Sequence, residues 1–303
     1  MKSTLLLHPV PPFRLHLTAW CLQRRPGNLI DRWERGGYHR ALVIKDQAFE
    51  IAVTETEGAA LSLATQPRAA DSHTKRAIKE RVESALGLHE NLGGFYRFAA
   101  GLPELAPVVN NFRGMKPPRF FSVFEALING IACQQLSLSL GIQLLNRLAR
   151  NFGWFAGDGL SATYAFPRPE DLASLRPEQI RELGFTFRKA RAIIDISRAV
   201  VKQRLDLETL AKASDKDALR RLTELDGVGR WTAEYTLLRG MGRWHIFPVD
   251  DQGARNGLAR WLGLRKTPDA GHAQRMLRRW EPYGGLIYLH MLMKGLDEAG
   301  YLG

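Results

Sequence analysis

Cysteine is nearly absent, with only Cys21 and Cys133, far apart in a chain of 303 residues. That excludes a disulfide framework and any four-thiolate zinc or iron–sulfur centre. Long apolar runs are lacking too, and no stretch approaches a membrane span. The opening "MKSTLLLHPVPPF" has one Lys and a short Leu run, which His8, Pro11 and Pro12 end before a secretory core could form. A soluble chain in a reducing cytosol is the expectation. Acidic residues are also in deficit, with 31 Asp plus Glu against 43 Lys plus Arg, a net charge of +12. Such a balance suits a polyanionic partner. The basic residues are spread along segments with regular apolar positions, so a folded surface is expected rather than a disordered arm.

The length predicts two or three domains. Over the first hundred residues, Phe13 to Cys21 alternates as a strand would, and "ALVIK" (41–45), "FEIAV" (49–53) and "AALSLAT" (59–65) read as further strands. Ile78, Val82 and Leu86 then recur at helical spacing after Ser72, a candidate cap. The expectation is a small α+β domain over 1–100: an antiparallel sheet with a helix across it. From 101 to 303 the patterns are helical throughout, with Pro169 and Pro177 at first helical turns. "FFSVFEALINGIACQQLSLSLGIQLLNRLARNFG" reads as one long helix, or two meeting near Gln134 to Ser137. No solenoid-period repeat or low-complexity segment is present.

"LDGVG" lies between two helical patterns. Gly227 and Gly229 permit a tight turn around Val228 that leaves N–H groups at a helix start without intrahelical partners, able to hold a phosphate oxygen. A plain helical corner with Gly at its C-cap is the competing reading; the basic chain and Arg230 favour DNA backbone. Twenty residues after Trp231 comes "FPVDD". Asp251, Ala254 and Leu258 share a helical stripe and Asp250 is rotated off it, so Asp250 is expected to cap the helix and Asp251 to face the interior or a cleft. Trp231 and Tyr235 are four apart on one helix, so their rings share a face and could stack on a base; packing in a core is the alternative.

"LDGVGRWTAEYTLL", the interval to Asp251 and "DQGARNGLAR" together resemble the helix-hairpin-helix DNA glycosylase superfamily, and within it the DNA-3-methyladenine glycosylase II type. "FEALINGIACQQLS" and "YLHML" extend the resemblance over most of the chain. It implies a mainly α-helical glycosylase fold in two subdomains after the first domain, one over about 120–240 with its hairpin at 225–230, the other formed by 101–119 plus 241–303. It implies that Asp251, followed nine residues later by Arg260, is the catalytic carboxylate. Bifunctional members carry a nucleophilic Lys where this chain has Trp231, and endonuclease III-like members carry a four-Cys cluster that this chain cannot form, so a monofunctional hydrolase is implied. Further implications are a base pocket of Trp231, Tyr235 and Leu292; a wedge at Gln135 or Leu136 beside Gln134; and DNA contacts from Gly227, Val228, Gly229 and Arg230. The expected partner is double-stranded DNA with damaged bases, bound by a monomer in the bacterial cytosol or nucleoid, with no metal or other cofactor. A bifunctional glycosylase/lyase and a non-enzymatic hairpin DNA-binding protein are the alternatives.

Overall fold

The computed structural model describes residues 4–69, 71–156 and 163–302; Met1 to Ser3 of the opening stretch lie outside them. The first region pairs five antiparallel strands in the order β1-β5-β4-β3-β2: β1 Leu5–Leu7, β2 Arg32–Glu34, β3 Gly37–Ile44, β4 Gln47–Glu55 and β5 Leu61–Gln66. Tyr38 faces Val53, Val53 faces Leu63 and Leu63 faces Leu5 in register. The β3–β4 turn is two residues, Lys45 and Asp46, both at positive φ, the twist that a tight hairpin needs. Helix α1 (Leu15–Gln23) and α2 (Ser72–Ala85) cover the sheet. Leu15, Ala19, Leu22, Ile78, Val82 and Leu86 join Tyr38, Phe49, Ile51 and Leu63 in one core.

Phe13 to Cys21 is therefore not a strand. Helix α1 buries one side, Leu15, Ala19 and Leu22, on the sheet and another, Leu17 and Cys21, on the C-terminal helices. A helix buried on two sides loses its 3.6-residue signature, and its apolar odd positions imitate a period of two. Asp71, not Ser72, caps α2: its carboxylate accepts the Thr74 N–H at 2.8 Å.

The remaining chain is mainly helical: α3 Gly93–Ala100, α4 Ala106–Asn111, α5 Val123–Cys133, α6 Leu138–Phe152, α7 Pro169–Ala173, α8 Pro177–Arg181, α9 Phe187–Val201, α10 Leu207–Lys212, α11 Asp215–Thr223, α12 Arg230–Arg239, α13 Gln252–Trp261, α14 Ala270–Leu277 and α15 Gly284–Glu298. A two-stranded ribbon, β6 (Phe155–Ala156) with β7 (Thr163–Tyr164), interrupts what the sequence presents as wholly helical. Two residues per strand are too few to display alternation. Ala156 packs on Ala41 and Val43 of the sheet.

Two further cores build the cleft. One gathers α5, α6, α9, α11 and α12 through residues such as Leu127, Ile131, Leu145, Ile193, Leu222 and Leu237. The other gathers α13, α14 and α15 with α3 and α4, through Phe95, Val109, Leu258, Leu277 and Ile287. Because α3 packs there, the division in packing runs ahead of residue 100. Helices α5 and α12 approach closely at two glycines. A Cβ on Gly130 would meet Thr232 Cγ2 at 2.8 Å, and one on Gly240 would meet Ala126 Cβ at 2.7 Å. No helix among the described residues is long and apolar enough to cross a membrane.

Candidate active site

The turn from α11 to α12 places Gly227 at φ +81, a left-handed conformation that suits glycine, with its α-carbon so close to α9 that an added Cβ would lie 2.6 Å from Ala192 Cβ. Val228 is buried and its N–H bonds the Leu225 carbonyl at 3.0 Å. Gly229 is exposed, has open space where a side chain would stand, and starts α12 without a side-chain cap. The first N–H groups of α12 thus meet a surface that an anion can approach. Arg230 is exposed, but its Nε donates to Glu234 Oε1 at 2.8 Å, so it is steered along the helix rather than outward. Burial pushes the Glu234 carboxyl upward against that pairing.

Helix α13 begins at Gln252, one residue later than the spacing suggests, and this moves the capping role from Asp250 to Asp251, which also faces the cleft. Asp251 is the cap: its Oδ1 accepts the Ala254 N–H at 2.9 Å and its carbonyl accepts the Arg255 N–H at 2.9 Å. Asp250 is exposed and does not cap the helix. Capping leaves Oδ2 of Asp251 for the cleft, where Trp231 Nε1 donates at 3.1 Å and the Tyr288 hydroxyl donates at 2.8 Å. One carboxylate, half-buried, therefore fixes a helix start and is held by two aromatic donors from α12 and α15. Tyr288 is pushed well above the ordinary phenol range by burial, reinforced by the adjacent Asp251 charge. It remains a donor and locks the carboxylate's orientation. Arg260 is exposed on the far part of α13.

Trp231 stacks on Tyr235 with ring centres 5.4 Å apart and 21° between planes. Trp231 is half-buried and Tyr235 is 6% exposed, packed against Phe120 and Ala126. Leu292 is half-buried in a cluster with Trp20, Tyr288 and Tyr301, one helical turn after Tyr288 on α15. The α5–α6 junction separates its residues by role. Gln134 turns inward, and its Nε2 donates to the Gly227 carbonyl at 2.8 Å and to Thr232 Oγ1 at 2.7 Å, tying the junction to the hairpin. Lys189 Nζ braces the same junction through the carbonyls of Ala132 at 3.0 Å and Gln134 at 2.7 Å. Gln135 sits exposed at φ +55 and Leu136 is 38% exposed, so these two project from the junction while Gln134 holds it.

Residues 128–282 match the family described as the HhH-GPD superfamily base excision DNA repair protein. The chain belongs to this superfamily. A Bacillus subtilis DNA-3-methyladenine glycosylase is 26% identical over 248 residues, covering 82% of this chain and 80% of the relative. The Escherichia coli DNA-3-methyladenine glycosylase 2 is 28% identical over 180 residues, covering 59% and 60%. A 3-methyladenine DNA-glycosylase structure from Archaeoglobus fulgidus superposes with a TM-score of 0.85 at 24% identity, covering 97% of this chain and 98% of that one, so the whole chain shares its fold.

Two residues of the site escaped the sequence reading. Tyr288 stands in the "YLHML" segment, but nothing local says that its hydroxyl meets a carboxylate 37 positions earlier. Arg24 ends α1 and donates to the Tyr235 hydroxyl at 3.2 Å; it was invisible once α1 was read as a strand.

Proposed function

We propose that the protein is a monofunctional DNA N-glycosylase that flips alkylated purines of the 3-methyladenine type out of duplex DNA and hydrolyses the glycosidic bond in base excision repair, acting as a monomer. The observation that carries the reading is Asp251, with Oδ2 held by Trp231 and Tyr288 beside a stacked aromatic pair, on the helix that follows the hairpin. The relatives' names supply the same class of damaged base.

Flipping a nucleotide costs a few kcal/mol, least for a damaged base. Phosphate contacts at Gly227 to Arg230 and the chain's positive charge offset it, and Gln135 or Leu136 fills the vacated stack. Alkylation at N3 or N7 makes the purine cationic. The faces of Trp231 and Tyr235 then attract it, by ~1–2 kcal/mol when desolvated. As the C1′–N bond breaks, its electron pair leaves with the base and positive charge grows on the sugar, which the Asp251 carboxylate stabilises. Water adds to C1′, and its proton passes to the carboxylate or to solvent.

Trp231 supports hydrolysis over lyase chemistry, since an indole cannot form an imine with C1′. The test uses a duplex with a single 7-methylguanine. Free base should appear with the strand intact until alkali is added, and borohydride should trap no covalent complex. A trapped complex would establish the lyase alternative, and absence of any released base would leave only a DNA-binding role.

A further inference from the structure

Behind the aromatic wall lie two buried guanidiniums whose hydrogen bonds all go to neutral acceptors. Arg24, 3% exposed, donates to the Leu22 carbonyl at 3.2 Å, the Tyr235 hydroxyl at 3.2 Å and Asn129 Oδ1 at 2.9 Å. Arg239, 1% exposed at the end of α12, donates to the Cys21 carbonyl at 3.0 Å and lies 3.9 Å from its sulfur. Its Nε has no partner among the described residues. Each guanidinium carbon is 5.0 Å from the centre of the Phe120 ring, which packs 6.2 Å from Tyr235. Asp31 and Glu125, whose fields reach Arg24, are both bonded to Arg40, at 2.6 Å and 2.7 Å. Arg40 and Arg24 thus share two buried carboxylates, and Arg239 has no carboxylate among its hydrogen-bond partners.

A charge buried without an ion-pair partner is costly, and an uncharged side chain of similar length would fill the same space. From the two guanidiniums a run of rings leads to the pocket, Phe120 tilted at 52° to Tyr235 and Tyr235 stacked on Trp231. Phe120 already faces two cations, and the Tyr235 hydroxyl accepts a charge-assisted bond that draws density from its ring. Less of the ring's attraction is left for a cationic base. A neutral base meets no such penalty. When its C1′–N bond breaks, the bonding pair leaves it anionic until it takes a proton from solvent, and a positive potential stabilises that charge.

We infer that Arg24 and Arg239 set the charge preference of the base pocket, shifting it from cationic lesions toward neutral damaged purines. The inference rests on the glycosylase reading and concerns selectivity within it. Arg24 acts through Tyr235, so it is a specificity-determining residue rather than a catalytic one.

Single-turnover release of cationic 7-methylguanine and of neutral hypoxanthine from otherwise identical duplexes tests it. Arg24→Met and Arg239→Met should each raise the cationic-to-neutral ratio by on the order of tenfold, the scale of one charge acting across a protein interior. Arg24→Lys, which keeps the charge, should stay near the wild-type ratio. An equal loss on both substrates, or an unchanged ratio, overturns the inference; if Arg24→Met does not fold, the ratio for Arg239→Met decides alone. Wild type that releases neither base defeats the glycosylase reading instead.

Discussion

Against the sheet, Arg40 is 1% exposed and meets Asp31 at 2.6 Å and Glu125 at 2.7 Å, while the Tyr38 hydroxyl also donates to Asp31 at 2.7 Å. Beside the pocket, Arg24 and Arg239 are buried as deeply, yet carbonyls, an amide, a phenol and a thiol are what they meet. The first arrangement sets one guanidinium between two carboxylates and joins the sheet to α5, and the field of those carboxylates reaches on to Arg24. The second leaves two guanidiniums without a directly bonded carboxylate next to Tyr235, and Asp251 is likewise held by neutral donors. Charges meet directly where the molecule is only held together, and are held by neutral groups where a reacting nucleotide would sit.

Breaking the ion-paired region should have the largest effect on stability. Arg40→Ala strands two buried carboxylates and should cost about 3–5 kcal/mol in urea unfolding; a loss below 1 kcal/mol would mean that the ion cluster is not what joins sheet and helix. Next comes pH. His290 on α15 donates from Nδ1 to the Leu286 carbonyl at 2.8 Å, and burial lowers its pKa to about 4. The unfolded chain, whose imidazole titrates near the ordinary 6.5, takes up this proton first. Stability should therefore fall as pH drops from about 6.5 to about 4, by up to roughly 3 kcal/mol. His290→Gln should flatten that slope, and an unchanged slope would remove His290 from the account. Gly227→Ala forces a side chain toward Ala192 at positive φ and should weaken duplex binding with about 1–3 kcal/mol of strain. The smallest structural effect but the clearest electrostatic one is salt: affinity for undamaged duplex should fall linearly on a log–log plot, and a flat response would deny the hairpin and basic surface their phosphate contacts.

The same contrast explains what was legible in the sequence. β4 and β5 were readable because one face of each is buried more fully than the other, and β3, buried on both faces, as a short apolar run. The Gly227–Gly229 turn and its spacing to Asp251 were readable because glycine and aspartate act through local backbone geometry. Helix α1 was not, since burial on two sides erased its period. The cap assignment failed by one residue: Asp251 does face the cleft, but α13 starts after it, so the same carboxylate also caps the helix in place of Asp250. Tyr288 and Arg24 act through contacts from distant parts of the chain, which no local spacing encodes.

The most direct test of the central claim is Asp251→Asn, measured for both binding and base release. An asparagine oxygen can still cap α13, so the variant should fold normally and bind an abasic-site analogue like the wild type, while release of 7-methylguanine falls by on the order of 10² or more. Release at the wild-type rate by a folded Asp251→Asn protein would contradict the account.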